Sequence, residues 1–146
     1  MALTTEKLLD YLVGVPELDL FEVPVKAGQT IYAGAALELN GGYLENVAGA
    51  GTFAGFAMET SVAVSGEADG ARKIRIKAQG GVLLDISTET PAQSDVGAAA
   101  SVVEATDENT FRMERGSSVT GTAIGKMLYL VSGSRIAVSF KGAMVA

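Results

Sequence analysis

Between the turn signals Asp69-Gly70 and Gly80-Gly81 lies the run Arg72-Lys73-Ile74-Arg75-Ile76-Lys77, where charged and isoleucine residues alternate from Lys73 on. A period of two cannot line one face of a helix. It dictates a half-buried strand, with Ile74 and Ile76 toward a core and Lys73, Arg75 and Lys77 on the other side. The same period recurs along the chain. Phe21 to Val25 and Thr30 to Leu39 read as strands separated by Lys26-Ala27-Gly28-Gln29, and Asn40-Gly41-Gly42 reads as a hairpin turn, because Asn and Gly tolerate the positive φ of tight hairpins. Phe53 to Val62 is a further apolar stretch. Val82 to Ile86 continues after the Gly80-Gly81 turn, and Met127 to Val131, Ser132-Gly133-Ser134 and Ile136 to Phe140 form a closing hairpin. Ser94 or Asp95 can cap one helical turn that Gly97 closes.

Many short strands with frequent turns predict an all-β fold, a small β-barrel or sandwich. The chain of 146 residues fits one β-rich domain over residues 21–146, preceded by an N-terminal arm over residues 1–20. In the arm, Leu8, Leu9, Leu12 and Val13 recur at helical spacing. Thr5 can cap such a helix, Gly14 can end it and Pro16 blocks its continuation, so the arm is expected to contain a short helix. Its apolar face either packs on its own domain or is completed by another subunit.

The sequence has no cysteine and no histidine, which excludes disulfides, thiolate nucleophiles, Cys/His zinc sites and every triad built on an imidazole base. The carboxylates near Glu104, Asp107, Glu108 and Glu114 are the main acid–base candidates, and they read as a solvated loop. Gly49-Ala50-Gly51-Thr52-Phe53-Ala54-Gly55 lacks the spacing of a dinucleotide fingerprint and reads as glycines relieving crowding where strands bend. No catalytic residue, cofactor or metal site is expected.

Eleven basic against seventeen acidic residues give a net charge of -6, which disfavours nucleic acid as a partner. No apolar run is long enough to span a bilayer, and the opening residues do not form a signal-peptide pattern, so neither a membrane nor a secretory route is expected. Charge is nevertheless segregated. Arg72, Lys73, Arg75 and Lys77 place four cations within six positions, while the arm carries Glu6, Asp10, Glu17 and Asp19 against Lys7, a net of -3. The basic strip is either a solvated strand face, protecting an edge, or a contact strip for an acidic surface such as the arm of another copy.

Several of these runs together resemble a known family. Met1-Ala2-Leu3-Thr4, the run Val23-Pro24-Val25-Lys26-Ala27-Gly28-Gln29-Thr30-Ile31-Tyr32-Ala33-Gly34, Phe53-Ala54-Gly55-Phe56-Ala57, Gly81-Val82-Leu83-Leu84-Asp85 and Ser94-Asp95-Val96-Gly97 are similar to the small head decoration, or capsid cement, proteins of tailed phages and prophages. The resemblance covers about residues 20–140 and rests on glycine and small apolar positions of structural type. It implies a β-tulip-like domain, a homotrimer, bound without cofactor to the outer surface of the expanded head, where it ties major capsid protein subunits together. It also implies manufacture in the host bacterial cytoplasm and residence in the virion. Members often pair an extended arm with the shell protein; the expected helix and Pro16 depart from that.

On this reading Leu8, Leu9, Leu12, Val13, Leu18 and Phe21 contact the shell, and Arg72, Lys73, Arg75, Lys77, Phe111 and Arg112 lie at subunit contacts. A receptor- or glycan-binding β-module of a phage structural protein is the alternative. With no Trp and few aromatic residues, its sugar-stacking candidates reduce to Tyr32, Tyr43 and Tyr129. A carboxylate hydrolase using the Glu104 to Glu114 region is a more distant one.

Overall fold

The computed structural model describes residues 6, 10–11, 20–48, 51–85, 92–97, 99–103, 112–113 and 122–145. These form strands β1 (Asp10–Tyr11), β2 (Leu20–Pro24), β3 (Ala36–Asn40), β4 (Tyr43–Asn46), β5 (Thr52–Ala57), β6 (Lys73–Lys77), β7 (Gln79–Asp85), β8 (Ala99–Val103), β9 (Arg112–Met113), β10 (Thr122–Ser132) and β11 (Arg135–Lys141). They pair antiparallel into two sheets, β1-β7-β11-β10-β8-β9 and β2-β6-β5-β3-β4. Of the barrel or sandwich expected from the alternation, the fold is an all-β sandwich.

The second sheet curls until its outer strands meet. Just past β2, Val25 bridges Leu44 of β4 in parallel, and the Lys26 amide donates to the Leu44 carbonyl at 2.9 Å. This contact turns five strands into a small barrel. Its interior holds Val25, Ile31, Leu37, Leu44, Ile74 and Ile76, all almost fully buried. A second core lies between the sheets, where Phe53 and Phe56 meet Val82, Leu84, Met127, Ile136, Val138 and Phe140.

Strand β5 serves both cores because it carries a bulge. Leu37 faces Gly55 while Glu38 faces Phe53, so Ala54 is the extra residue. The bulge puts residues three apart on the same face: Phe53 and Phe56 enter the inter-sheet core, Ala54 and Ala57 the barrel. Phe53, Phe56 and Phe140 then pack edge to face, with centroids 4.8 to 6.2 Å apart. Gly55 has φ +154, and a Cβ there would lie 2.3 Å from the Lys77 carbonyl oxygen. The glycine run thus relieves crowding at this bend, as its sequence suggested.

Several local expectations need correction. Gly80 and Gly81, expected as a turn, lie inside β7 opposite Phe140 and Ser139. Thr30 to Leu39 is not one strand: Gly34, at φ 91, sits in a turn whose amide donates to the Ala57 carbonyl, and regular pairing begins only at Ala36. Asp10 and Tyr11, placed by their spacing in a short helix, are extended and pair with Leu83 and Val82 of β7. There the edge of β7 offers backbone partners that an isolated two-turn helix lacks. The last concerns the closing hairpin, which pairs as expected at Ser132 and Arg135 but carries two bulges on β10, so that Lys126 faces Ser139.

Candidate contact surface

At the barrel wall near residues 58–72 several charged groups meet. The β5–β6 loop runs back over the turn that follows β2 and is stitched to it by side chains. Asp69 accepts from the Ala27 amide at 2.8 Å, Glu67 from the Gly28 amide at 3.0 Å and Thr60 from the Ala33 amide at 3.0 Å. Glu6 of the arm in turn accepts a hydrogen bond from the Thr60 hydroxyl. Arg72 sits inside this loop. Its Nε and Nη2 grip both oxygens of Glu67 at 2.7 and 2.6 Å, Nη1 reaches the Ser61 hydroxyl at 2.6 Å and Nη2 the Gln29 carbonyl at 2.7 Å. The hydrogen bonds from Arg72 hold the Glu67 carboxyl at a pKa of about 2, well below its ordinary value; burial opposes the shift, and the Gly28 amide adds to it.

The four cations of the strip therefore have different fates. Arg72 is a clamp within the chain. Arg75 is exposed and paired to Glu59 at 3.1 Å, Lys73 is exposed, and Lys77 is buried at the point where β6 turns into β7 between the two sheets. Phe21, opposite Ile76, is half-buried and packs against the barrel core. Arg112 lies on β9 opposite Val103 of β8. Leu8, Leu9, Leu12, Val13, Leu18 and Phe111 lie outside the described residues.

A carboxyl pair that the sequence reading passed over lies on the β3–β4 hairpin. Glu38 and Glu45 are direct cross-strand partners, and both are buried. Burial alone would raise the Glu45 pKa. Hydrogen bonds from Asn40, Glu38 and Lys26 outweigh it and hold the carboxyl below its ordinary value. Asn40 donates to Glu45 at 3.0 Å and Lys26 lies 3.3 Å away. The arrangement fastens a hairpin. Counting outward from the Gly41-Gly42 turn would have placed the two acids opposite each other.

The outer surface of the first sheet differs in character. A groove of about 310 Å³ lies across β7, β10 and β11. Gly80, Gly125 and Phe140 line it, and Lys126, Ser139, Lys141 and Gln79 supply its polar atoms. Farther along β10, Leu128, Tyr129 and Val131 are exposed by 40, 46 and 47%. Exposed apolar residues beside amines that form no ion pair among the described residues are what a contact surface requires; of these only Tyr129 was singled out in the sequence. The chain matches no protein-family model, no curated protein and no solved structure.

Proposed function

We propose that this chain is a capsid decoration protein, a non-enzymatic cement that binds the outside of a tailed-phage head, as a trimer, and stabilises the expanded shell by bridging major capsid subunits. The observation that carries the reading is the run from Val23 to Gly34. Its pattern of Pro24-Val25, Ala27-Gly28, Ile31-Tyr32 and Gly34 resembles that of the decoration family, and in this fold it is the segment that closes the barrel through Val25 and Leu44. A small, rigid sandwich with exposed contact groups suits the role. Each contact to a repeating lattice can be modest, since simultaneous contacts to several subunits multiply into avidity. Binding to the assembled shell and not to its parts stabilises the shell by mass action.

The test is thermal disruption of undecorated expanded heads with and without the purified protein. A disruption temperature that rises with protein concentration and then saturates is the expected result. An unchanged temperature, with the protein folded throughout, would reject the cement reading and send attention to exposed Tyr129 as a glycan-stacking position.

A further inference from the structure

The groove on the first sheet holds an arrangement of charge that nothing else in the described residues answers. Lys126 and Lys141 form no ion pair among the described residues, and no Asp or Glu lines the groove. Lys26, Arg72, Arg75 and Arg135, by contrast, each have a carboxylate within 3.4 Å. In a chain of net charge -6, two cations beside one cavity with no acid near them among the described residues mark a place where negative charge can come from outside.

Register fixes how far apart the two amines stand. Lys126 is directly opposite Ser139, and Lys141 is two residues beyond Ser139 on the same strand, opposite Gln79. The lysines are thus diagonal neighbours on one face, with backbones about 7–8 Å apart. An extended polypeptide advances about 6.6–6.8 Å every two residues and points alternate side chains the same way. Carboxylates at alternate positions of such a segment match the spacing of the two amines.

The floor fits the same occupant. Between the two lysines the groove is lined at Gly80, Gly125 and Phe140, and the Phe140 ring is turned into the inter-sheet core, so its side chain does not compete for the space beside the amines. The charges are lysines, compact and mobile on long stems. Unlike a guanidinium fork, they adapt to carboxylates arriving from two directions.

We propose that this groove docks an extended acidic segment of a partner polypeptide, with carboxylates at alternate positions on Lys126 and Lys141. Such binding is a property of the free protein, so the capsid assay can fail without touching it. The experiment is a titration of the full-length ¹⁵N-labelled chain with a capped peptide carrying glutamate at alternate positions of a threonine background. Parallel titrations use the glutamine version of the peptide and inorganic phosphate.

The glutamate peptide should shift the amides of Gly80, Gly125 and Ser139, weaken at least about tenfold in Lys126→Gln/Lys141→Gln, persist in Lys126→Arg/Lys141→Arg, and release at about 1 M salt, where screening acts within about 3 Å. The Arg variants keep the test decisive should the Gln variants fail to fold. No shift at these amides, equal binding of the glutamine peptide, or loss of binding in folded Arg variants would overturn the proposal. Equal displacement of the same amides by phosphate would also overturn it, by showing a general anion site.

Discussion

The two basic regions of this chain differ in sequence, a run of four cations in six positions against two lysines far apart, and differ again in the fold. Around β6, cations meet acids of their own chain: Arg72 is locked onto Glu67, Ser61 and Gln29, and Arg75 lies against Glu59. On β10 and β11, Lys126 and Lys141 face an open groove with no acid among its described lining residues. The difference shows that a run of positive residues does not by itself identify a contact surface. What matters is whether the same chain returns with carboxylates. The β5–β6 loop does so at Glu59 and Glu67; nothing among the described residues does so at the groove.

The largest effect should come from breaking the clamp. Arg72→Ala removes four hydrogen bonds at once and leaves Glu67 and the Gln29 carbonyl without that partner, so Tm should fall by several degrees in a thermal melt, more than for any other single basic residue. A fall no larger than that of Lys73→Ala would erase the distinction between the two regions.

Acid titration sharpens the same point. The Glu67 carboxyl titrates near 2 in the fold against an ordinary value of 4.5. Its folded pKa is lowered, so the stability it contributes is fully present above 4.5 and is lost as pH falls toward 2. Melts of Arg72→Ala between these limits should show a shallower loss than the wild type. Identical acid limbs would mean that the clamp contributes nothing to them.

At the groove, the neutral pair Lys126→Gln/Lys141→Gln should leave stability within about 0.5 kcal/mol, since neither side chain forms an ion pair among the described residues. A larger destabilisation in urea melts would show that the lysines serve the fold and not an outside ligand. The smallest effect belongs to Lys73→Glu. It should alter neither stability by more than about 0.5 kcal/mol nor peptide binding at the groove. A change in groove binding would mean that charge acts across the whole surface and not locally.

What could be read from the residues alone was the part governed by short-range geometry. The Gly41-Gly42 hairpin follows from two positive φ angles, 63 and 89, and β6 follows from Ile74 and Ile76. The sandwich followed from such elements together. What could not be read depends on path and bulge. Arg75 meets Glu59 sixteen positions away only because the intervening loop doubles back.

The groove is a clearer case. A bulge-free hairpin, counted back from Ser132 and Arg135, would set Lys126 directly against Lys141, a repulsive pair. Two bulges on β10 move Lys126 to face Ser139 and separate the amines diagonally. Likewise Phe53 and Phe56 share a face only through the bulge at Ala54, which a period of two cannot foresee. The expected helix at Asp10 and Tyr11 failed for a related reason, because the free edge of β7 was not visible in the arm's own spacing.

The cement role is tested most directly by mixing the purified chain with undecorated expanded heads and measuring the protein that cosediments. Saturable binding at a fixed number of copies per head, absent with unexpanded heads, is the predicted result. Absence of cosedimentation by the folded protein, or binding that rises without saturation, would contradict it.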